Sequence, residues 1–592
     1  MTGKDETQPF DISEALDKLS ESKNSQQKAT NQHNHEGVLF SDEAQLEQVL
    51  EDVWPAPSFR THQKETIMDI LTKFYVKNND VVTLSAPTGA GKSLIIYAVS
   101  KVISRAKKLQ SFVTTPLNSL IDQIEEDNFI KDVTTIKGKN NYQCVHPRDK
   151  GTAVGNAVCQ REKDFDCSYK DDLDTNGGCP YYGRKHRAQN TDIAVTNLSY
   201  LMTNSMIPEE YDARFESRDL LAIDETQNIE AFALNFIGFT IDRRNIPINF
   251  KNVDNMPQKG CDMVEMVNWL KQVLNGVTER LMELQDMPRT TKEQNKDEET
   301  LQNLRHRMIN FIEDFDKGRH WTKTRDGSTL KFEPVFIDRF TDRFLWEQCD
   351  KVLLSSATIP KGDFLDAIGL GEKSVAHVEV PSTFPTENRP VITREMVGKM
   401  TKDERDSTIP KMADKITEIA DFHAGENGFI HCHSYSIMER LYDNLPKYVQ
   451  RRTMMQDKDD RMGSLTEWYE SSEQIFLSVG MAEGISLDDD TARWQVVAKA
   501  SYPFLGDERV SYRVNDMGDW EWFNNQAIID LQQAVGRGVR SKDDSCVCYL
   551  LDSSFKSLLN QNKNLFENWF LDSVDCQTDM DVYSDSTFDL SA

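Results

Sequence analysis

The stretch VVTLSAPTGAGKSLIIYAV, residues 81–99, constrains the fold of this chain more than any other. Val81, Val82, Thr83 and Leu84 form a short, β-branched apolar run that reads as a buried strand. Pro87, Gly89 and Gly91 then punctuate the chain, and Leu94 to Val99 resumes with helical character. Strand, glycine-rich turn and helix is the context in which backbone N–H groups point inward and a helix N-terminus attracts anions. The segment Ala86, Pro87, Thr88, Gly89, Ala90 and Gly91 would then cradle the phosphates of a nucleotide. Lys92 would reach the β- and γ-phosphates, and the Ser93 hydroxyl would sit on Mg²⁺. Ala86 stands where the pattern GxxxxGK[ST] opens with glycine, and a small residue suffices there if no positive φ is required. The competing reading is an ordinary strand–turn–helix. Gly91-Lys92-Ser93 at the start of the helix favours nucleotide binding.

Around this stretch the chain alternates strands and helices. After SFVTTP (111–116) the alternation resumes at DIAVTN (192–197), LLAIDE (220–225) and KVLLSSAT (351–358). A second alternating region follows residue 380, with strands expected in GFIHCHS, QIFLSVG, RWQVVAKA and CVCYLLD. The fold class is therefore α/β, with doubly wound parallel sheets. Two long pieces interrupt it. Residues 140–188 are rich in Cys, Gly and charge with little periodicity, while 264–320 carry apolar positions at three- and four-residue spacing and read as helices. No repeat appears at solenoid periods. A length of 592 residues gives a prior of about four domains.

No run of 18 apolar residues exists, and the first ten residues lack an apolar signal core, so a cytoplasmic location without membrane attachment is expected. The net charge of −28 argues against a generally adhesive nucleic-acid binder; a nucleic-acid path would be a local basic groove in an acidic body. Ten cysteines in a chain expected to stay reduced suggest metal or catalytic use for some of them.

Two further clusters bear on chemistry. The strand LLAIDE ends in Asp224 and Glu225. Carboxylates at a strand's C-terminal end, downstream of a phosphate loop, suit Asp224 to Mg²⁺ and Glu225 to polarising the attacking water. Such a pair alone is commonplace on surfaces; together with Lys92 it gains weight. Near the C-terminus, Gln533, Arg537 and Arg540 lie in LQQAVGRGVRS, the two arginines three residues apart. That is one helical turn, so both can face one site and meet the charge on a transferred γ-phosphate. On spacing alone, a solvated basic helix end is the better explanation.

Taken in order, these segments resemble the motifs of a superfamily-two helicase of the iron–sulfur XPD/DinG type. FRTHQ (Phe59, Arg60, Gln63) resembles its adenine-recognition motif, SAPTGAGKS its first motif and VTTPLNSL motif Ia. DETQ resembles motif II, LLSSAT motif III, VGMAEGISL (with Gly484) motif V and QAVGRGVR motif VI. Two positions depart from the pattern. Gln227 replaces the His of the DEAH box, which bears on coupling between hydrolysis and DNA, and Ser486 replaces an acidic residue common in motif V.

The resemblance implies two RecA-like motor domains, ATP hydrolysis with Mg²⁺, a second-domain arginine at the γ-phosphate, and 5′-to-3′ unwinding of single-stranded and forked DNA by a monomer. It also implies work in DNA repair, replication or recombination, on the nucleoid or, for a viral chain, in the host cytoplasm. The domain order it implies is a disordered arm (1–40), motor domain 1 in three pieces (41–139, 189–240, 346–378), an iron–sulfur insertion (140–188), a helical arch (241–345), motor domain 2 (379–575) and an acidic tail (576–592). A nuclease of the same group lacks support, since no spare acidic cluster appears. The rival from another class is an ATP-regulated DNA-binding scaffold, or a translocase without productive unwinding.

Cys144, Cys159, Cys167 and Cys179 fall in the first interruption, between motifs Ia and II. Their spacing is irregular and lacks a CxxC, which allows zinc or plain structural thiols, yet four cysteines within 36 residues, with the other six scattered, favour a four-thiolate metal site. The flanks KGKNNYQC and CPYYGRKH resemble the borders of the family's cluster domain, which implies a [4Fe–4S] cluster held by the four thiolates in a structural role. Arg184, Lys185 and Arg187 are candidates for DNA phosphate, and Tyr181 or Tyr182 for base stacking, although basic-aromatic runs are more often solvated surface.

Overall fold

The computed structural model describes residues 43–576 apart from 163–164, 172–176, 208–213, 288–289, 481–484, 486 and 488. The N-terminal arm, the acidic tail, and Gly484 and Ser486 of the motif V segment lie outside the described residues. Two parallel sheets dominate. In the first lobe the strand order is Val375–Glu379, Val81–Ser85, Cys349–Ser356, Arg218–Asp224, Ser111–Thr115, Ile193–Asn197, Thr134–Thr135. In the second lobe it is Val391–Ile392, Val547–Leu550, Trp494–Val497, Gly428–His431, Ile475–Ser478, Thr453–Met455. Every pairing within these two sheets is parallel. Parallel strands require crossovers, and their helices bury both faces, so the central strands are continuously apolar rather than alternating. Val81, Val82 and Leu84 show this pattern, each fully buried. The alternating pattern predicts these doubly wound parallel sheets, and two RecA-like lobes are what the family resemblance implies.

The cysteine-rich insertion spans the gap between Thr134–Thr135 and Ile193–Asn197 and is built of short elements before one helix, Pro180–Asn190. It does not stand alone. Tyr142, Val154, Ala157 and Tyr181 pack into the same apolar cluster as the first lobe.

The second interruption holds the long helices Met263–Asp286 and Lys292–Asp316. Thr291 and Gln294 form a capping box at the start of the latter, and Asp262 caps the former through the Glu265 N–H at 2.7 Å. This pair of helices braces the cysteine insertion: the Thr290 N–H donates to the Arg161 carbonyl at 2.7 Å, and Asn295 Nδ2 to the Gly155 carbonyl at 3.0 Å. The arch range is not purely helical. A three-stranded antiparallel sheet, Phe239–Asp242, Thr329–Pro334 and Trp321–Asp326, sits at its base, its hairpin turned by Gly327 at φ 57°. Among the described residues no helix is long and apolar enough to cross a membrane.

Candidate nucleotide and metal sites

The phosphate loop leaves the buried strand Val81–Ser85 and runs into the helix Lys92–Lys107. Gly89 and Gly91 take left-handed φ values of 84° and 78°, whereas Ala86 does not. Ala86 is fully buried, and its N–H donates to the Ser356 carbonyl at 2.9 Å on the neighbouring strand. An alanine is tolerated there because the backbone asks nothing of glycine. Lys92 Nζ reaches the Ala86 carbonyl at 3.4 Å and so spans the mouth of the loop.

Arg60 Nη1 donates to the Gly89 carbonyl at 3.1 Å and Gln63 Nε2 to the Ala90 carbonyl at 3.2 Å, so two residues of FRTHQ fasten the loop from outside. Phe59 stacks on Trp54 with ring centroids 4.1 Å apart, a flat aromatic surface beside the site.

Glu225 stands at the end of Arg218–Asp224 with φ 53°, an uncommon conformation for a residue with a side chain. Gln227 Nε2 donates to Glu225 Oε2 at 2.8 Å, while Ser356 Oγ donates to Gln227 Oε1 at 2.7 Å. The Gln227 amide thus bonds the carboxylate on one side and the LLSSAT strand on the other. Burial, with the charge of Glu225 beside it, pushes Asp224 up to about 7, and Lys92 opposes the rise. Burial also raises Glu225, but Lys92, the Gln227 bond and Arg537 outweigh it and hold that carboxyl below its ordinary range. Two adjacent carboxyls are pushed apart in this way, so Glu225 carries the charge of the pair and Asp224 holds a proton more readily.

The second lobe closes the site. Gln533 Nε2 donates to Thr358 Oγ1 at 2.7 Å and Arg537 Nη2 to Gln533 Oε1 at 3.1 Å. Thr88 Oγ1 on the loop tip donates to the Gly536 carbonyl at 3.2 Å. One expectation needs correction. The helix Trp520–Val535 ends before Arg537, so Arg537 and Arg540 are not one helical turn apart on a shared face. Arg540 instead turns into its own lobe, its Nη2 donating to the Ile485 carbonyl at 3.4 Å and its N–H to Asp544 at 3.0 Å.

The four cysteines of the insertion come from four local segments. Cys144 lies on a loop, Cys159 in the helix Val158–Arg161, Cys167 before Ser168–Asp171 and Cys179 at the cap of Pro180–Asn190. All four are free thiols, and Cys144, Cys167 and Cys179 are buried. Burial raises the Cys144 thiol, with Cys159 and Cys179 adding to the shift; burial and Cys159 raise Cys167. Cys144 is thus within electrostatic reach of Cys159 and Cys179, and Cys167 of Cys159. Among the described residues no three His, Cys, Asp or Glu side chains converge tightly enough to hold a single metal ion. Four thiols are donor chemistry that zinc and an iron–sulfur cluster both take.

The basic candidates nearby are mostly not free for DNA. Arg184 pairs with Glu125, Lys185 is buried, and Tyr181 is buried against Tyr142; Arg187 alone of the three cations is exposed.

One constellation has no counterpart in the sequence reading. A cleft of about 580 Å³ opens between the lobes, lined by Gln227 and Glu230 of the first and by His431, His433, Lys499, Tyr502 and Arg509 of the second. Burial, the larger cause, pulls His431 and His433 down to about 4, so both are neutral at neutral pH. At its wall Glu230, in the helix after DETQ, accepts from Arg509, from Arg513 Nη1 at 2.8 Å and from Trp522 Nε1 at 2.9 Å, locking the lobes together. These residues are scattered over both lobes with no local spacing, so only the folded chain assembles them.

Two parallel lobes thus meet with a phosphate loop on one, an arginine turn on the other and a cleft between them. The chain is similar to XPD-type helicases along most of its length: it is 22% identical over 558 residues to the ATP-dependent DNA helicase XPD of Sulfolobus acidocaldarius, covering 82% of this chain and 96% of that protein. Residues 56–242 match the family model "Type III restriction enzyme, res subunit" and residues 416–573 the model "Helicase C-terminal domain". The structure of S. tokodaii Xpd4 superposes with a TM-score of 0.57 at 16% identity, covering 87% of this chain and 99% of that one. A second structure, titled XPD helicase, gives 0.54 at 18% identity over 88% of this chain and 100% of its own.

Proposed function

We propose that the protein is an ATP-dependent DNA helicase that moves 5′ to 3′ on single-stranded DNA and parts forked duplex. The observation that carries this reading is the seam at the phosphate loop, where Gln533 of one lobe bonds Thr358 and Glu225 of the other, and Lys92 and Arg537 bring positive charge to Glu225 from either side.

In this reading the loop amides and Lys92 hold the β- and γ-phosphates, and Phe59, Arg60 and Gln63 hold the base side. Ser93 and Asp224 would hold Mg²⁺, which neutralises phosphate charge when bound. Glu225, kept ionised by Lys92 and Arg537, orients and deprotonates the attacking water. Arg537 meets the charge that develops on the γ-phosphoryl group. Because the arginine comes from the opposite lobe, hydrolysis is tied to the distance between lobes, and repeated closure and opening would advance the strand through the cleft beside Lys499 and Tyr502. Cys144, Cys159, Cys167 and Cys179 would hold a [4Fe–4S] cluster that shapes the insertion against the arch helices.

The test is unwinding of fluorescent duplexes bearing a 5′ or a 3′ single-stranded tail, with ATP and Mg²⁺, beside DNA-stimulated phosphate release. Strand separation of the 5′-tailed duplex is expected. Stimulated hydrolysis with no separation of either duplex would replace the helicase with a translocase, and separation of the 3′-tailed duplex alone would reverse the polarity.

A further inference from the structure

The last described segment of the chain does more than end the second lobe. Phe566 and Phe570 are buried in that lobe's core with Phe555 and Leu531, which fixes the segment to its own lobe. The residues between them turn outward and bond the first lobe. Glu567 Oε2 accepts from Ser85 Oγ at 2.7 Å, and Ser85 is the last residue of the strand feeding the phosphate loop. Lys361 Nζ lies 3.8 Å from the same oxygen and donates to the Phe566 carbonyl at 2.5 Å. Trp569 Nε1 donates to the Ala357 carbonyl at 2.9 Å, inside LLSSAT, and Asn568 Nδ2 to Glu379 at 2.8 Å on the edge strand. The backbone N–H of Glu567 is itself bonded at 2.8 Å by Gln532, the neighbour of Gln533 in the helix that leads to Arg537. A Cβ on Gly536 would stand 3.6 Å from the Trp569 indole and 3.8 Å from Thr88 Oγ1, so the indole, the arginine turn and the loop tip meet at one point.

We propose that residues 566–573 form a strap between the lobes in which Glu567 and Trp569 are positioning residues, setting the separation between the phosphate loop and Arg537. The inference rests on the nucleotide reading of the seam. Its physical basis is that the two bonds cross the lobe interface from a segment anchored on one side by buried phenylalanines. A shift of Arg537 relative to the loop must therefore stretch Ser85–Glu567 and Trp569–Ala357 together. Glu567 is almost fully buried, so its bonds are not exchanged for water without cost. Neither residue touches a phosphate; each acts through the placement of Arg537.

The test uses the full chain. Glu567→Ala is expected to lower kcat for ATP about tenfold or more while KM for ATP changes less than about threefold, because a misplaced arginine is missed mainly in the transition state. Glu567→Gln keeps an oxygen that accepts from Ser85 and is expected to recover most of the rate. Trp569→Phe keeps the packing and loses the N–H, and is expected to lower kcat severalfold. It is also expected to abolish a change in tryptophan fluorescence that the wild type shows with a non-hydrolysable ATP analogue. Unchanged kcat in a folded Glu567→Ala variant, or a Glu567→Gln variant as slow as Glu567→Ala, overturns the strap. If Glu567→Ala does not fold, wild-type kcat and an intact fluorescence change in Trp569→Phe overturn it instead. Lys92→Ala serves as the control: turnover that survives it removes the nucleotide reading as well, whereas loss of turnover there with none in the strap variants removes the strap alone.

Discussion

The phosphate-loop seam and the cysteine insertion are both assembled from distant residues, but by different means. At the seam the backbone does most of the positioning: strands in fixed parallel register put Ala86 beside Ser356 and Asp224 beside Ser355, and side chains need only short reaches to complete the network. In the insertion Cys144 is on a loop, Cys159 is in Val158–Arg161, Cys167 precedes Ser168–Asp171 and Cys179 caps Pro180–Asn190, so three of the four donors sit on loops or in or beside elements of four residues. Such elements are far too short to be stable alone, and here they lean on the arch helices and the first lobe. A site made by sheet register is organised before its ligand arrives. A site made by short segments gains order from the ligand, as metal-bound small domains do.

Six variants would break or sharpen this contrast. The largest effect is expected at the seam: Lys92→Ala should lower DNA-stimulated phosphate release by about a thousandfold or more with the fold intact, since the phosphates lose their charge partner. Glu225→Gln should retain ATP and stall. Normal turnover in either, measured at saturating ATP and with circular dichroism unchanged, would end the assignment of the motor.

Next comes Arg537→Ala, for which kcat should fall about a hundredfold or more while ATP affinity changes little. An affinity that collapses while the saturated rate persists would make Arg537 a binding residue. Arg540→Ala, whose side chain faces Ile485 in its own lobe, should change kcat far less.

The insertion should behave differently. Cys159→Ser offers a hard, protonated hydroxyl in place of a soft thiolate, so iron and sulfide content should drop and unwinding fail, yet ATP hydrolysis should keep at least about a tenth of its rate. Full iron content and normal unwinding would remove Cys159 from the ligand set. Stoichiometric zinc without sulfide in anaerobically purified protein would overturn the cluster.

The smallest effect concerns Lys185, whose amine burial pulls down to about 8 and for which no hydrogen-bond partner exists among the described residues. Below pH 8 the folded chain must keep this ammonium out of water, while the unfolded chain solvates it. Removing it with Lys185→Met should stabilise the fold at pH 7, by at most about 3 kcal/mol. The gain should shrink as pH rises from 8 toward 10.5, where both states hold the neutral amine. A melting temperature that falls at pH 7 would show instead that the charge is paired, and a bound cluster would be one source of the counter-charge.

Much of the seam was legible because its information is local. Strand, glycine turn and Gly91-Lys92-Ser93 occupy thirteen consecutive residues from Val81, and Asp224-Glu225 ends a strand whose apolar run announces it. The antiparallel hairpin at the base of the arch also had a local signal in Asp326-Gly327 between alternating segments, but the long helical pattern before it drew that stretch into a helical reading. Arg540 was misplaced for a different reason: residue spacing gives a face only while the helix lasts, and the Gly536–Gly538 turn ends it.

By itself the sequence determined the class of sheet, the phosphate loop, the paired carboxylates and the four cysteines, since each follows from short-range pattern, and short-range pattern is what backbone propensity and hydrophobic periodicity encode. Only the tertiary structure decided which charges meet. The pairing of parallel strands put Gln227 on Ser356, 129 residues away along the chain. Closure of one lobe on the other set Arg537 to hold Glu225 ionised, Arg509 and Arg513 on Glu230, and Glu567 on Ser85. No spacing along the chain specifies those partners, because they are selected by burial: once the lobes exclude water from the seam, each charge must find an opposite charge or a donor there.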